Sequence, residues 1–217
     1  MAKQEIKQEQ VLNVEEAVSR SEAFINKNKK TISVVVITII ALIVAGVVVS
    51  NYVIMPRENK AAEALFVGEK YFQNGDYETA LIEFENVADD FGSTKAGKLA
   101  KAYAGLSLAK LGRYEEAVPM LEAFKGGDAM VGPSVLAALG NCYAQIGNEA
   151  KAAATLVKAA HKADNNLLSP AYLVQAGQIY EKLGKKSDAL KVYKEVQKKY
   201  YGSMQAMDID KYIERVK

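Results

Sequence analysis

The sequence predicts an all-α fold: one N-terminal transmembrane helix, then a solenoid of four helical hairpins closed by a capping helix. Three observations predict it. A run of 25 uncharged residues, Thr31 to Met55, interrupts an otherwise ordinary mixture of charged and apolar positions. Beyond Ala61 the same small, aromatic and alanine positions recur every 35 to 37 residues. The C-terminal stretch MQAMDIDKYIERVK leaves that repeat but keeps helical apolar spacing.

Taking the elements in order, residues 31–56 come first, because they set the organisation of the rest. At ~1.5 Å per residue, 25 residues reach roughly 37 Å, enough to cross a hydrocarbon core of ~30 Å. A secretory leader has an apolar region of only about 7–15 residues with a small-residue exit, so this segment reads as an uncleaved anchor. Lys27, Lys29 and Lys30 sit directly before it, whereas Arg57 and Lys60 behind it are diluted by Glu58. The positive-inside rule then places residues 1–30 in the cytoplasm and 57–217 across the membrane. Ala41 with Ala45, and Gly46 with Ser50, have the four-residue spacing of small helix-contact residues, which ordinary span composition also produces.

Ahead of the span, Val11, Val14, Val18, Phe24 and Ile25 form a thin apolar stripe at helical spacing. Asn13, with Glu16 three residues on, has the form of a helix start. Residues 1–30 therefore read as a cytoplasmic amphipathic segment, lying on the membrane or docking a protein.

Past the span, Gly68, Gly105, Gly140 and Gly177 are spaced 37, 35 and 37 residues apart. Three residues after each stand Tyr71, Leu108, Tyr143 and Tyr180; seven after, Gly75, Gly112, Gly147 and Gly184. Twelve after each come Ala80, Ala117, Ala152 and Ala189; sixteen after, Phe84, Leu121, Leu156 and Tyr193. This is a helix–turn–helix written four times. The first glycine column suits a close approach of two helix backbones, and the second ends helix A in a left-handed turn. The alanines let helix B settle on helix A, and the large column fills the space between. Pro133 and Pro170 open helix A in repeats three and four, where a missing N–H costs nothing. Pro119 falls inside helix B of repeat two and is expected to kink it.

These columns resemble the tetratricopeptide repeat over 61–94, 98–131, 133–166 and 170–203. The resemblance departs at Ala64, where the first position is usually Trp, and at Glu149 and Lys186, which replace the aromatic of Tyr77 and Tyr114. Residues beyond the usual 34 fall at junctions near 92–97 and 164–169. The terminal segment is expected to be a capping helix with Ile209, Tyr212 and Ile213 inward.

Composition limits the chemistry. Lys and Arg number 28 against 26 Asp and Glu, a net charge of +2, so no polycationic surface points to nucleic acid. Cys142 is the lone cysteine and His161 the lone histidine, too few for a disulfide, a zinc site or a histidine-based triad. No enzyme, metal or cofactor is expected, and Cys142 reads as a small buried apolar residue. Charge is uneven, however: residues 61–94 carry eight carboxylates against Lys70, and the fourth repeat is lysine-rich. Such a run either is a solvated face or meets separate partners at the two ends.

The resemblance places a concave, peptide- or protein-binding groove on helix A, lined by Leu65, Glu69 and Phe72; Leu99, Ala102 and Leu106; Ala137, Asn141 and Ala144; and Val174, Gln178 and Glu181. Some of these positions are equally suited to packing on the next helix. The clamp that holds acidic C-terminal tails in some such repeats has no counterpart, because Leu65, Glu69, Tyr103, Ser134 and Ala138 stand in its place. The whole layout resembles the YfgM-type ancillary subunits of the Sec translocon, in a Bacteroidetes-like style. That resemblance implies a single-pass bacterial inner-membrane protein with a periplasmic repeat domain. It would scaffold a membrane-anchored periplasmic chaperone, and emerging clients, at the translocon exit. A general envelope scaffold for another inner-membrane complex is the alternative, whereas an organelle import receptor needs the inverted topology that Lys29 and Lys30 oppose.

Overall fold

The computed structural model describes residues 26–126 and 130–217, so the amphipathic stripe expected over 11–25 lies outside the described residues. The chain divides into two compact units, one ending at Pro56 and one running from Arg57 to Lys217.

The first unit contains α1 (Lys29–Val49), which passes into one turn of wider, π-type hydrogen bonding at Ser50–Ile54. None of its residues is buried, although Val, Ile and Leu dominate it. Twenty-one residues extend roughly 31 Å. Among its polar residues, Thr38 donates its hydroxyl back to the Val34 carbonyl at 2.8 Å and so needs no outside partner. A helix apolar on every side beyond its first turns, with none of its residues buried among the described residues, fits a hydrocarbon environment rather than water, and α1 is long and apolar enough to cross one.

The second unit is built of helical pairs. Repeat one is α2 (Met55–Gln73) and α3 (Tyr77–Phe91); repeat two, α4 (Lys95–Lys110) and α5 (Tyr114–Ala123). Repeat three is α6 (Val131–Gln145) and α7 (Glu149–Ala163); repeat four, α8 (Ser169–Lys182) and α9 (Lys186–Lys199). A 3₁₀ turn (Met204–Met207) leads to α10 (Ile209–Val216), the ninth helix after the span among the described residues. Asp76, Thr94 and Asn148 cap α3, α4 and α7 through side-chain oxygens that accept from Thr79, Gly97 and Lys151 N–H groups.

The turn between helices A and B is the same in every repeat. Gly75, Gly112, Gly147 and Gly184 have φ of 82°, 78°, 80° and 71°. Around Gly147, the Asn148 N–H donates to the Tyr143 carbonyl at 2.8 Å and the Gly147 N–H to Ala144 at 3.2 Å. This paired closure satisfies orphan helix carbonyls and requires the left-handed residue that glycine supplies without strain.

The first glycine column works differently from its expected role. A Cβ at Gly68 would stand 2.6 Å from Phe84 Cε1, at Gly105 2.9 Å from Leu121 Cδ2, and at Gly177 2.3 Å from Tyr193 Cε1. At Gly140 it would stand 2.9 Å from Leu156 Cγ, with the Ala152 carbonyl oxygen also at 3.3 Å. The missing side chain therefore makes room for the large residue of helix B, and in repeat three a helix B carbonyl also comes near. Ala80, Ala117, Ala152 and Ala189 are fully buried beside these residues. The resulting apolar core runs through the repeats and into the cap.

Two further expectations are refined. α5, with Pro119 inside it, has 10 residues, against 15, 15 and 14 in the other B helices. The proline removes a donor from the hydrogen-bond ladder, and the helix stops four residues later. At the C-terminus, MQAM does not join the capping helix: Ser203 accepts from the Ala206 N–H and starts a separate 3₁₀ turn. The cap is buried through Ile209, Ile213 and Val216, while Tyr212 is half-buried with its ring 5.3 Å from that of Tyr193. Val216, not Tyr212, completes the inward face.

Candidate functional site

Helices α4, α6 and α8 lie side by side and leave an open groove of about 660 Å³. Its walls are Leu106, Ala109, Lys110 and Tyr114 from repeat two; Ala138, Asn141, Cys142, Ala144 and Gln145 from repeat three; and Gln175, Gln178, Ile179 and Lys182 from repeat four. Counted from the packing glycines of repeats three and four, the residues two before, one after and five after line the groove. In repeat three they are Ala138, Asn141 and Gln145, and in repeat four Gln175, Gln178 and Lys182. These offsets fall at i, i+3 and i+7, one helical face.

Of the lining anticipated from sequence, the groove brings together Leu106, Asn141, Ala144 and Gln178. Leu65, Ala102 and Ala137 are buried, at 7%, 0% and 5% exposure, so they contribute packing rather than a binding surface. Phe72 belongs to an aromatic cluster, its ring 5.2 Å from Tyr77, 6.3 Å from Phe84 and 5.8 Å from Tyr103. Glu69 engages the Tyr103 hydroxyl, whose pKa is raised by burial and by that carboxylate. Leu99 lines a smaller hollow of about 250 Å³ with Tyr103, Leu106 and Val135. Val174 packs against the fourth-repeat core. Glu181 is committed to the cap: it accepts from Arg215 Nε and Nη2 at 2.7 and 2.8 Å and from the Tyr193 hydroxyl at 2.5 Å.

The physical reason for the shift is one of helical phase. The positions three before Gly105 and Gly140, Ala102 and Ala137, are buried against neighbouring helices, whereas Ala138 and Gln175, one residue further along in repeats three and four, line the groove. Ala138, Gln145, Gln175 and Lys182 were missed for that reason, and the recurrence of polar residues five after Gly105, Gly140 and Gly177 was the signal for them.

The groove wall has no carboxylate. Its polar groups include the carboxamides of Asn141, Gln145, Gln175 and Gln178, the Tyr114 phenol and the ammonium groups of Lys110 and Lys182, the last paired with Glu149 of α7. Carboxamides donate and accept, so such a wall can hydrogen-bond peptide groups of either polarity above an apolar floor. Cys142 borders it at 1% exposure, and burial pushes its thiol pKa up, which disfavours the reactive thiolate. Among the described residues no cluster of three or more His, Cys, Asp or Glu can hold a metal. Elsewhere, Glu122 accepts from Lys151 Nζ at 2.8 Å and from the Tyr143 hydroxyl, tying repeat two to repeat three. Lys27, Lys29 and Lys30 are exposed at the start of α1.

Residues 171–203 match the family described as "Tetratricopeptide repeat". No curated protein has a significant sequence match to the chain. In fold it is similar to the nearly identical TPR-like repeats assigned to a Podosopora anserina kinesin light chain, at 14% identity and a TM-score of 0.56. That match covers 73% of this chain and 86% of the other. It is also similar to the MamA protein, at 16% identity and a TM-score of 0.54, covering 72% and 89% of the two chains. The fold is a tetratricopeptide-type helical solenoid, and the same chain carries one helix long and apolar enough to span a membrane.

Proposed function

We propose that this protein is a non-enzymatic ancillary subunit of the Sec translocon. It is a single-pass protein of the bacterial inner membrane that scaffolds a membrane-anchored periplasmic chaperone, and emerging clients, at the translocon exit. Residues 1–30 are cytoplasmic, 31–56 span the bilayer, and 57–217 form the periplasmic repeat domain. The observation that carries the reading is the pairing of two features in one chain. An unburied apolar helix with Lys27, Lys29 and Lys30 at its start supports a membrane address and a cytoplasmic side for the N-terminus. A repeat unit with an open, carboxamide-walled groove offers a surface to polypeptide. Anchoring in one membrane raises the effective concentration of each partner, so no single surface needs to bind tightly.

Division of labour follows. The anchor and its cytoplasmic lead serve the translocon, and the distal repeats hold the chaperone. The test is recovery of complexes in mild detergent from cells carrying the intact chain, a chain lacking 170–217, or a chain with 1–56 replaced by an unrelated anchor. The first truncation is expected to lose the chaperone and keep the translocon, and the anchor exchange to do the reverse. Crosslinks exclusively to proteins unconnected with secretion would replace this reading with that of a scaffold for another inner-membrane complex.

A further inference from the structure

Repeat two departs from its neighbours where α5, shortened by Pro119, ends. Phe124 takes an extended backbone, φ −74° and ψ 109°, at a point where the other B helices continue. Counted from the packing glycines, Lys125 stands where repeats one and three have the buried Ala88 and Ala160. On α4, Lys98 takes the position of Ala61, Pro133 and Pro170, all buried. Lys101 takes that of Ala64, Leu136 and Leu173, which are half-buried or buried. Positions that pack apolar side chains in the neighbouring repeats are thus exposed lysines here, and all three border one hollow.

The hollow has a volume of about 470 Å³, and besides the lysines its walls are Gly92, Ala123, Phe124 and Gly126. They include no carboxylate; Glu85 and Asp89 line the adjoining hollow, which shares Lys101 and Ala123. Lys162 of α7 reaches the same turn: a Cβ at Gly132 would stand 2.6 Å from its Nζ and 3.2 Å from the Gly126 carbonyl oxygen. Lys151, Lys182, Lys199, Lys211 and Lys217 each pair with a carboxylate, whereas among the described residues Lys98, Lys101 and Lys125 do not. Like charges around one hollow repel, and an anion shared between them relieves that repulsion.

We propose that this hollow binds a phosphate ester, the three ammonium groups taking the phosphate oxygens and the organic part lying against Phe124 and Ala123. Ammonium groups are rotatable point charges, suited to the tetrahedral spread of phosphate oxygens. Planar carboxylate recognition favours the arginine fork, which the hollow lacks. The volume falls within the ~300–1,000 Å³ of small-molecule sites, and the apolar wall at Phe124 accommodates carbon rather than further charge. A soluble ester and the headgroup of an anionic phospholipid present the same chemistry to these lysines.

Titration calorimetry of the purified full chain in a neutral detergent tests the site. The probes are sn-glycerol 3-phosphate and dihexanoyl phosphatidylglycerol, with citrate as the carboxylate control. Saturable binding of a phosphate probe at one site per chain is expected, with citrate weaker. The probe that binds more tightly names the source, soluble ester or headgroup. Lys98→Gln/Lys101→Gln/Lys125→Gln is expected to weaken binding about ten-fold or more. Lys191→Gln/Lys194→Gln/Lys198→Gln removes the same charge from α9 and is expected to change binding less than about two-fold, because distant exposed charges are screened. All six lysines are exposed, so both variants are expected to keep the native Tm. No saturable binding of either phosphate probe, equal loss in the two triple variants, or citrate bound as tightly as the esters would overturn the site.

Discussion

Replacing Gly177 by alanine sets two local effects against each other, and the structure decides which wins. Removing glycine from a helix interior favours the helix by about 1 kcal/mol. At this position, however, the new Cβ would stand 2.3 Å from Tyr193 Cε1 and 2.5 Å from Cζ. Carbon atoms in contact prefer about 3.5–4.0 Å, so the ring must move by more than 1 Å. Tyr193 is fully buried, and its hydroxyl is bonded to Glu181, which also holds Arg215 of the cap. Overpacking costs about 1–3 kcal/mol and the disturbed hydrogen bond about 1 kcal/mol more, so the variant should be destabilised by about 1–3 kcal/mol net. For a unit of this size that lowers Tm by roughly 3–10 °C, read by circular dichroism on residues 57–217. Repeats two and three carry Leu121 and Leu156 where repeat four has Tyr193. Tyr193→Leu combined with Gly177→Ala should therefore cost less than the two single changes added together. A rise in Tm for Gly177→Ala, or strict additivity in the pair, would refute the view that this glycine exists to admit the ring.

Two other expectations rest on different physics. Gly147→Ala leaves the packing free, with no atom within 4 Å of the new Cβ, but places alanine at φ 80°; a loss of about 1–2 kcal/mol should follow, measured by urea unfolding. For acid, the relevant groups are Glu122, Asp164 and Glu181, whose carboxyls are held below their usual range chiefly by Lys151, Lys199 and Arg215, with Tyr143, Tyr200 and Tyr193 assisting. A folded pKa below the unfolded one contributes stability that is present above the unfolded value and lost as pH falls through the folded value. Tm should therefore decline as pH drops below about 4, and the Tm gap between the native chain and Glu181→Gln should shrink over the same range. A gap unchanged from pH 7 to pH 3 would show that the Arg215–Glu181 pair adds nothing to the cap.

The repeats were legible because their constraints are local or nearly so. A left-handed turn admits glycine at four fixed places, a hydrocarbon span needs a long uncharged run, and a helix pair of fixed geometry repeats its small and large residues in step. Gly75, Gly112, Gly147 and Gly184, the Ala80 column and the run from Thr31 could each be assigned by counting along the chain. The groove could not, because one residue of helical phase, about 100°, separates a side chain facing the next helix from one facing solvent. Ala102 and Ala137 against Ala138 and Gln175 differ by that single step, and which faces outward depends on how neighbouring repeats stack. Glu181, polar and on helix A, read as groove lining until Arg215 of the cap, 34 residues later, took it up. Gly68 and Gly177 announced smallness by sequence alone. That the space they leave is filled by Phe84 and Tyr193 was decided by the packing of helix B, because a deleted side chain is defined only by what occupies its place.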